Sequence, residues 1–168
     1  MLTCEGRVWK FGDDVNTDLI IPGRYLDNYD PDHLAKHAME GISKDFASEA
    51  SPGDVIVAGS NFGCGSSREQ AVVALRGHGV KAIVAVSFAR IFYRNAINLG
   101  MHVYQSPEAH SMFADGDVIS LDSEKNRLRS VDGSREVMLA DMPTRPREIV
   151  DSGGLIPYVK HIMLERKV

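Results

Sequence analysis

Hydrophobic positions follow two patterns along the chain. In its middle they form short, continuous, β-branched runs, Val55-Ile56-Val57-Ala58 and Ala82-Ile83-Val84-Ala85-Val86, which is how a strand covered on both faces reads. Each run leads through a polar loop into a stretch of helical period. Residues 68–76 carry Ala71, Val72 and Leu75 on one side and end at Gly77 and Gly79. Ser87 is expected to cap a second helix through Phe88, Ile91, Phe92 and Leu99, stopped by Gly100. Residues 101–104 supply another short strand. Strand, helix, strand, helix, strand predicts a parallel sheet with crossover helices.

The flanks behave differently. Residues 4–11 alternate as a strand, residues 12–18 form a polar, turn-rich loop, and Leu19-Ile20-Ile21 is expected to be extended until Pro22 and Gly23 break it. Asp30 as N-cap, Pro31 at the first position and Asp32 in the first turn announce a helix, with Leu34, Ala35, Ala38 and Met39 as its apolar stripe and Gly41 as its stop. Residues 43–53 read as an irregular connector. Past a short helical turn at Ser106-Pro107-Glu108, the alternating segments Val118-Ile119-Ser120-Leu121, Arg127-Leu128-Arg129-Ser130-Val131 and Glu136-Val137-Met138-Leu139 predict an antiparallel meander, Asp132-Gly133 being the better hairpin signal. Residues 144–167 read as a helix, a break at Gly153-Gly154, and an amphipathic helix with Ile156, Val159, Ile162 and Met163 on its apolar face. The fold class is α/β: a mixed sheet with crossover helices and a C-terminal antiparallel meander.

Composition narrows this to one compact unit. A chain of 168 residues, 43% hydrophobic and 25% charged, suits a single buried domain over residues 1–168. A net charge of -4 and 7% aromatic residues give no general basic surface for nucleic acid. No apolar run approaches the roughly 20 residues of a membrane span, and no basic segment followed by an apolar one marks a secretory leader, so the expected location is cytoplasmic. Two cysteines, Cys4 and Cys64, fit a reducing compartment and are too few to hold an iron-sulfur cluster or a structural zinc alone. No cofactor is therefore expected on this chain.

The chemistry is expected in Asn61-Phe62-Gly63-Cys64-Gly65-Ser66-Ser67-Arg68-Glu69, between a buried strand and a helix. Glycines let backbone approach a ligand, the first helix amides are unpaired donors, and two hydroxyls with a guanidinium suit a carboxylate or phosphate. Familiar alternatives fail by spacing. A Walker loop needs Lys then Ser or Thr after its last glycine, a dinucleotide loop needs glycine where Arg68 stands, and a hydrolase elbow needs glycine two residues past its serine. Cys64 as nucleophile lacks an identifiable histidine partner. Asp13, Asp14 and Asp18 lack the glycine and closing glutamate of a calcium loop and read as turn chemistry. His33 and His37 read as a solvated helix face, and Arg90 and Arg94, four apart on one helix, as a structural anchor or a face toward a partner. A serine-capped, glycine-rich turn without chemistry stays open on spacing alone.

Three motifs together carry a resemblance. Asp13-Asp14-Val15-Asn16-Thr17-Asp18-Leu19-Ile20-Ile21-Pro22, the loop from Asn61 continued through Gln70-Ala71, and Ser87-Phe88-Ala89-Arg90-Ile91-Phe92 resemble the swivel domain of the aconitase superfamily. Within it the chain is most similar to the isopropylmalate/homoaconitate isomerase small-subunit family, over residues 5 to about 150. The resemblance implies a swivelling β/β/α domain and a heteromer, in which a large-subunit partner carries a 4Fe-4S cluster through its own cysteines. It implies a hydro-lyase of leucine biosynthesis, active only with the large subunit, that isomerises 2-isopropylmalate and 3-isopropylmalate by dehydration and rehydration. Ser66 would take the carbon-bound proton. Arg68 would clamp a carboxylate of the small hydroxy-dicarboxylic acid, with Ser67 and Gly65 also against the substrate. The family's specificity loop falls on Asp27, Asn28 and Tyr29, where no arginine stands to meet a third carboxylate. Isopropylmalate is favoured on that ground, Tyr29 offering an apolar body. Homoaconitate or a methylated malate remains an alternative, as does a non-catalytic binding module that keeps the fold.

Overall fold

The structure, a computed structural model, describes residues 2–165. Seven strands form one sheet in the order β4-β3-β2-β1-β5-β6-β7. β1 (Thr3–Lys10), β2 (Val55–Ala58), β3 (Ala82–Ala85) and β4 (His102–Gln105) pair in parallel. β5 (Val118–Asp122) lies antiparallel against the free side of β1, and β6 (Arg127–Ser130) and β7 (Glu136–Met138) continue as the expected meander.

The continuous apolar runs are buried on both faces. Ile56, Ala58, Ile83 and Ala85 pack with Trp9, Phe62 and Phe92 on one face, together with α4 (Glu69–His78) and α5 (Arg90–Asn98). Their alternates Val55, Val57, Ala82 and Val84 face Ile119, Leu121, Leu128 and Val137 of the meander. The antiparallel strands therefore curl across the second face, aided by α6 (Pro107–Met112). Each fully buried Val, Ile or Phe contributes roughly 1.5–3 kcal/mol. One buried carboxylate joins β1 to β2: Asp54 accepts from Arg7 N (2.9 Å), Trp9 Nε1 (2.9 Å) and Ser51 N (2.9 Å).

Several local expectations change. Leu19-Ile20-Ile21 is not extended: α1 (Thr17–Ile20) includes its first two residues, capped by Asn16, whose Oδ1 accepts from Leu19 N at 3.0 Å. A three-residue apolar run does not distinguish strand from helix, and the cap decides. α2 (Pro31–Ala35) starts under its Asp30 cap as predicted but ends early, and the stripe to Met39 continues as turns. The connector contains α3 (Phe46–Glu49), which buries Phe46. Ser87 does not cap α5; that helix starts at Arg90 after Ala89. The tail forms α7 (Thr144–Asp151) and α8 (Leu155–Glu165), with Ile156, Val159 and Met163 exposed. The predicted end at Lys167 lies outside the described residues.

Candidate active site

The sheet order places the three polar motifs together. Residues 11–16, 59–68 and 86–89 each leave the carboxyl end of β1, β2 or β3, and the order β3-β2-β1 sets the central loop between the other two. This end of a parallel sheet is where ligands bind in open α/β folds.

Backbone bonds stitch the central loop to both neighbours. On one side Phe62 N donates to Ser87 O (3.0 Å), Ala89 N to Phe62 O (2.9 Å) and Asn61 N to Ser87 Oγ (2.8 Å). Ser87 thus spends its hydroxyl on the central loop rather than on a helix. On the other side Gly63 N donates to Val15 O (2.8 Å) and Thr17 N to Cys64 O (2.9 Å). Gly63 has φ +79°, and a Cβ there would sit 2.1 Å from Phe92 Cγ. Only glycine fits both the left-handed turn and the buried ring. Asn61 and Asp14 are also left-handed, at φ 61° and 54°, and Asn61 Nδ2 donates to Asp14 Oδ1 at 2.8 Å. Such side chains tolerate this region best.

Ser66, Ser67 and Arg68 border a groove of about 450 Å³, with Thr17, Arg90 and Arg94 on its walls. The Thr17 hydroxyl is buried, donates to Ser66 O at 3.0 Å and stands 3.5 Å from Ser66 Oγ. With its proton on the carbonyl, Thr17 turns an acceptor lone pair toward the exposed Ser66 hydroxyl. Arg68 closes the loop in extended backbone before α4. Its Nη1 meets Asp18 and lies 3.4 Å from Ile21 O. The remaining guanidinium donors are unengaged among the described residues, which leaves an edge for a carboxylate.

Sequence reasoning missed Thr17. It lies inside a motif that was singled out, but its contact with Ser66 spans 49 residues. The other aspartates of that motif serve loop packing: Asp13 accepts from Ser60 N at 2.6 Å, and Asp14 from Asn61. Cys64 is half-buried, and burial, with Asp14 close by, pushes its thiol up, which opposes a thiolate nucleophile. Cys4 lies toward the start of β1, opposite Leu121, at the far end of the sheet from Cys64. Among the described residues no three of His, Cys, Asp and Glu group as metal ligands, so these residues offer no ligand set for an iron-sulfur cluster. His37 is not on a solvated face: it stacks on Tyr25 with ring centroids 3.6 Å apart and meets Glu40 at 2.7 Å.

Asp27, Asn28 and Tyr29 do not border the groove. Asn28 Oδ1 accepts from Asp30 N at 3.0 Å, and Asp27 is exposed. Tyr29 lies beside Glu69, the residue after Arg68; burial, with Glu69 second, pushes its phenol up to about 12. Its ring borders a separate cleft with Pro31, Val73 and Leu99.

A family model described as the aconitase C-terminal domain matches residues 15–107, which span Thr17, the central loop and α5. The chain belongs to the aconitase C-terminal domain family. Among members of this family, the 3-isopropylmalate dehydratase small subunit of Nautilia profundicola is 47% identical over 162 residues, 96% of this chain and 97% of its own length. That of Methanosarcina acetivorans is 48% identical, covering 96% and 99%. The crystal structure of 3-isopropylmalate dehydratase (LeuD) from Methanocaldococcus jannaschii matches at a TM-score of 0.92 and 46% identity, over 99% of this chain and 98% of its own. The aconitase-type mixed α/β fold is therefore shared along the chain, meander and final helices included. No helix among the described residues is long and apolar enough to cross a membrane.

Proposed function

We propose that this chain is the small subunit of a 3-isopropylmalate dehydratase, a hydro-lyase that interconverts 2-isopropylmalate and 3-isopropylmalate in the cytoplasm. Residues 1–168 would act as one closing domain over a large subunit, and the 4Fe-4S cluster belongs in this reading to that partner. The observation that carries the proposal is the groove beneath three converging loops, which presents a hydroxyl, Ser66, beside an arginine edge, Arg68. A hydroxyl next to fixed positive charge suits proton removal from the carbon beside a carboxylate.

In the forward step Ser66 Oγ, as the alkoxide that the surrounding positive charge favours, takes the proton from the substrate carbon; the C–H electrons form the double bond and the neighbouring carbon loses its hydroxyl as hydroxide. In the return step hydroxide adds to the carbon that lost the proton, and Ser66 returns its proton to the carbon that lost the hydroxyl. Arg68 holds one carboxylate across two parallel bonds and, pinned by Asp18, fixes the carbon against Ser66. Thr17 orients the serine through its carbonyl and its hydroxyl. Ser67 and Gly65 complete the wall that meets the substrate. Tyr29 lies beside Glu69, next to the Arg68 segment, and in this reading Asp27, Asn28 and Tyr29 influence substrate choice by meeting the substrate once the partner closes.

The test is co-purification with a cluster-bearing large subunit under anaerobic conditions, followed by turnover of isopropylmalate, homoaconitate and methylmalate. Preferential turnover of isopropylmalate supports the proposal. Preference for homoaconitate overturns the substrate, and a stable pair that turns over none of the three overturns the activity.

A further inference from the structure

α5 breaks a local rule of helix design. Its first turn holds no acidic residue, its start lacks a side-chain cap, and Arg90 is its first residue, at the positive end of the helix dipole, where a cation is disfavoured. Arg94 follows four residues on, so two like charges neighbour each other on one face, which also disfavours the helix. Both side chains are exposed, and neither has an acidic partner among the described residues. Other arginines of the chain do: Arg24, Arg68, Arg135 and Arg147 each meet a carboxylate.

The unpaired arginines stand where an anion would compensate them. Arg90 and Arg94 line the same groove as Ser66, Ser67 and Arg68, and among the described residues no acidic one borders it. A second groove that they also border contains Asp141, which is engaged by Asn126 and lies 3.7 Å from Arg147. Arg68 is neutralised in part by Asp18, so the uncompensated positive charge of the site rests on α5. Local rules broken together at one place mark function rather than fold.

We infer that Arg90 and Arg94 form a second carboxylate clamp, facing Arg68 across the groove, that takes the other carboxylate of a dicarboxylic hydroxy acid. The inference rests on the proposed dehydratase reading and adds to it how a dianion is held: one carboxylate by Arg68 next to the proton-accepting serine, the other by the start of α5. Two guanidinium groups four residues apart can each offer a pair of donors, and both lie outside the loop that performs the chemistry.

The test compares Arg90→Gln, Arg94→Gln and the double variant in the reconstituted pair with isopropylmalate as substrate. The expected result is a KM raised about tenfold in each single variant and on the order of a hundredfold in the double, with kcat within about threefold and with weaker dependence of kcat/KM on salt. Arg→Lys at either position should recover part of the loss. Unchanged KM with reduced recovery of the large subunit on affinity resin would make the arginines a docking contact and overturn the clamp. Equal loss of kcat with KM unchanged would overturn it as well. If the unaltered pair turns over no acid, the dehydratase reading fails separately. The clamp is then judged by NMR titration of the free chain with isopropylmalate: shifts at Ser66, Arg68 and Arg90 that the double variant weakens at least tenfold support it, and their absence in the unaltered chain overturns it.

Discussion

In the last hairpin of the antiparallel meander the turn is closed by neighbours in sequence, and the preceding turn at residues 122–126 is closed partly so, with Asp141 and Arg147 also bracing Asn126; at the carboxyl ends of the parallel strands, turns are closed by residues from other segments. Asp132 Oδ1 accepts from Ser130 Oγ (2.5 Å), Ser134 N (3.0 Å) and Ser134 Oγ (2.8 Å), all two residues away, and these bonds hold its carboxyl near 2. Asp122 likewise accepts from Glu124 N and Lys125 N. In the parallel half, Asp14 and Asn61, Thr17 and Ser66, and Asp18 and Arg68 are 47, 49 and 50 residues apart. A turn that satisfies itself leaves nothing for a ligand, whereas loops that brace one another hold donors and a hydroxyl at fixed separations over a groove.

The comparison is broken most severely at Ser66. Ser66→Ala should lower kcat of the reconstituted pair by about 10²–10⁴-fold, the range for a lost general base, with substrate binding retained by equilibrium dialysis. Turnover within threefold of the unaltered pair would remove Ser66 from the chemistry. Next in size is Gly63→Ala. A methyl group there meets the buried Phe92 ring at 2.1 Å and sits at φ +79°, so strain and overpacking together should cost about 3 kcal/mol in urea unfolding.

Much of this was legible in the sequence, and the exceptions have physical reasons. The four-residue runs of β2 and β3 are apolar at every position because both faces are covered, and they were readable as such. The Asp30 cap and the helical turn at Ser106 were readable because their signals are local: each side chain bonds a backbone amide three residues on, His33 N and Ala109 N. The meander was readable from its turn residues. Ser87 misled because a serine before an apolar stretch looks like a cap, while its hydroxyl bonds Asn61 N, 26 residues back. Leu19-Ile20-Ile21 misled because the run is shorter than one helical turn, too short to separate a strand from a helix. The site residues were legible through the three motifs, but their geometry was not: which loop braces which depends on strand order, and strand order is not a local property.

At Arg68 the effect should be smaller than at Ser66, because charge survives in the conservative variant. Arg68→Lys keeps one donor toward Asp18 but loses the planar edge, so KM should rise about 10- to 100-fold. An unchanged KM would exclude Arg68 as a carboxylate clamp.

His102 probes the buried end of β4. Burial pushes its imidazole down to about 4 from 6.5, with Asp151 opposing the shift. Since the folded value lies below the unfolded one, its full contribution to stability is present above about 6.5, and it is lost as pH falls toward 4, where the unfolded chain binds a proton that the folded chain resists. The loss should be about 2 kcal/mol. Urea unfolding at pH 7 and pH 4.5 measures it. His102→Gln should flatten the dependence over that window, and an equally steep variant would place the titration elsewhere.

The smallest expected effect gives the sharpest check on the comparison. Gly133, in the last hairpin, has φ +74°, nearly that of Gly63, but nothing lies within 4 Å of where its Cβ would be. Its conformation comes from the turn itself, with Gly133 N donating to Ser130 O at 2.9 Å. Gly133→Ala should therefore cost only the left-handed backbone term, about 1 kcal/mol, and Gly133→Asn less, since asparagine tolerates that region. The matched glycines separate turn geometry from loop packing. If Gly133→Ala destabilises as much as Gly63→Ala in the same urea titration, the self-closed turn is not independent of its surroundings, and the contrast between the two halves of the sheet fails at its simplest point.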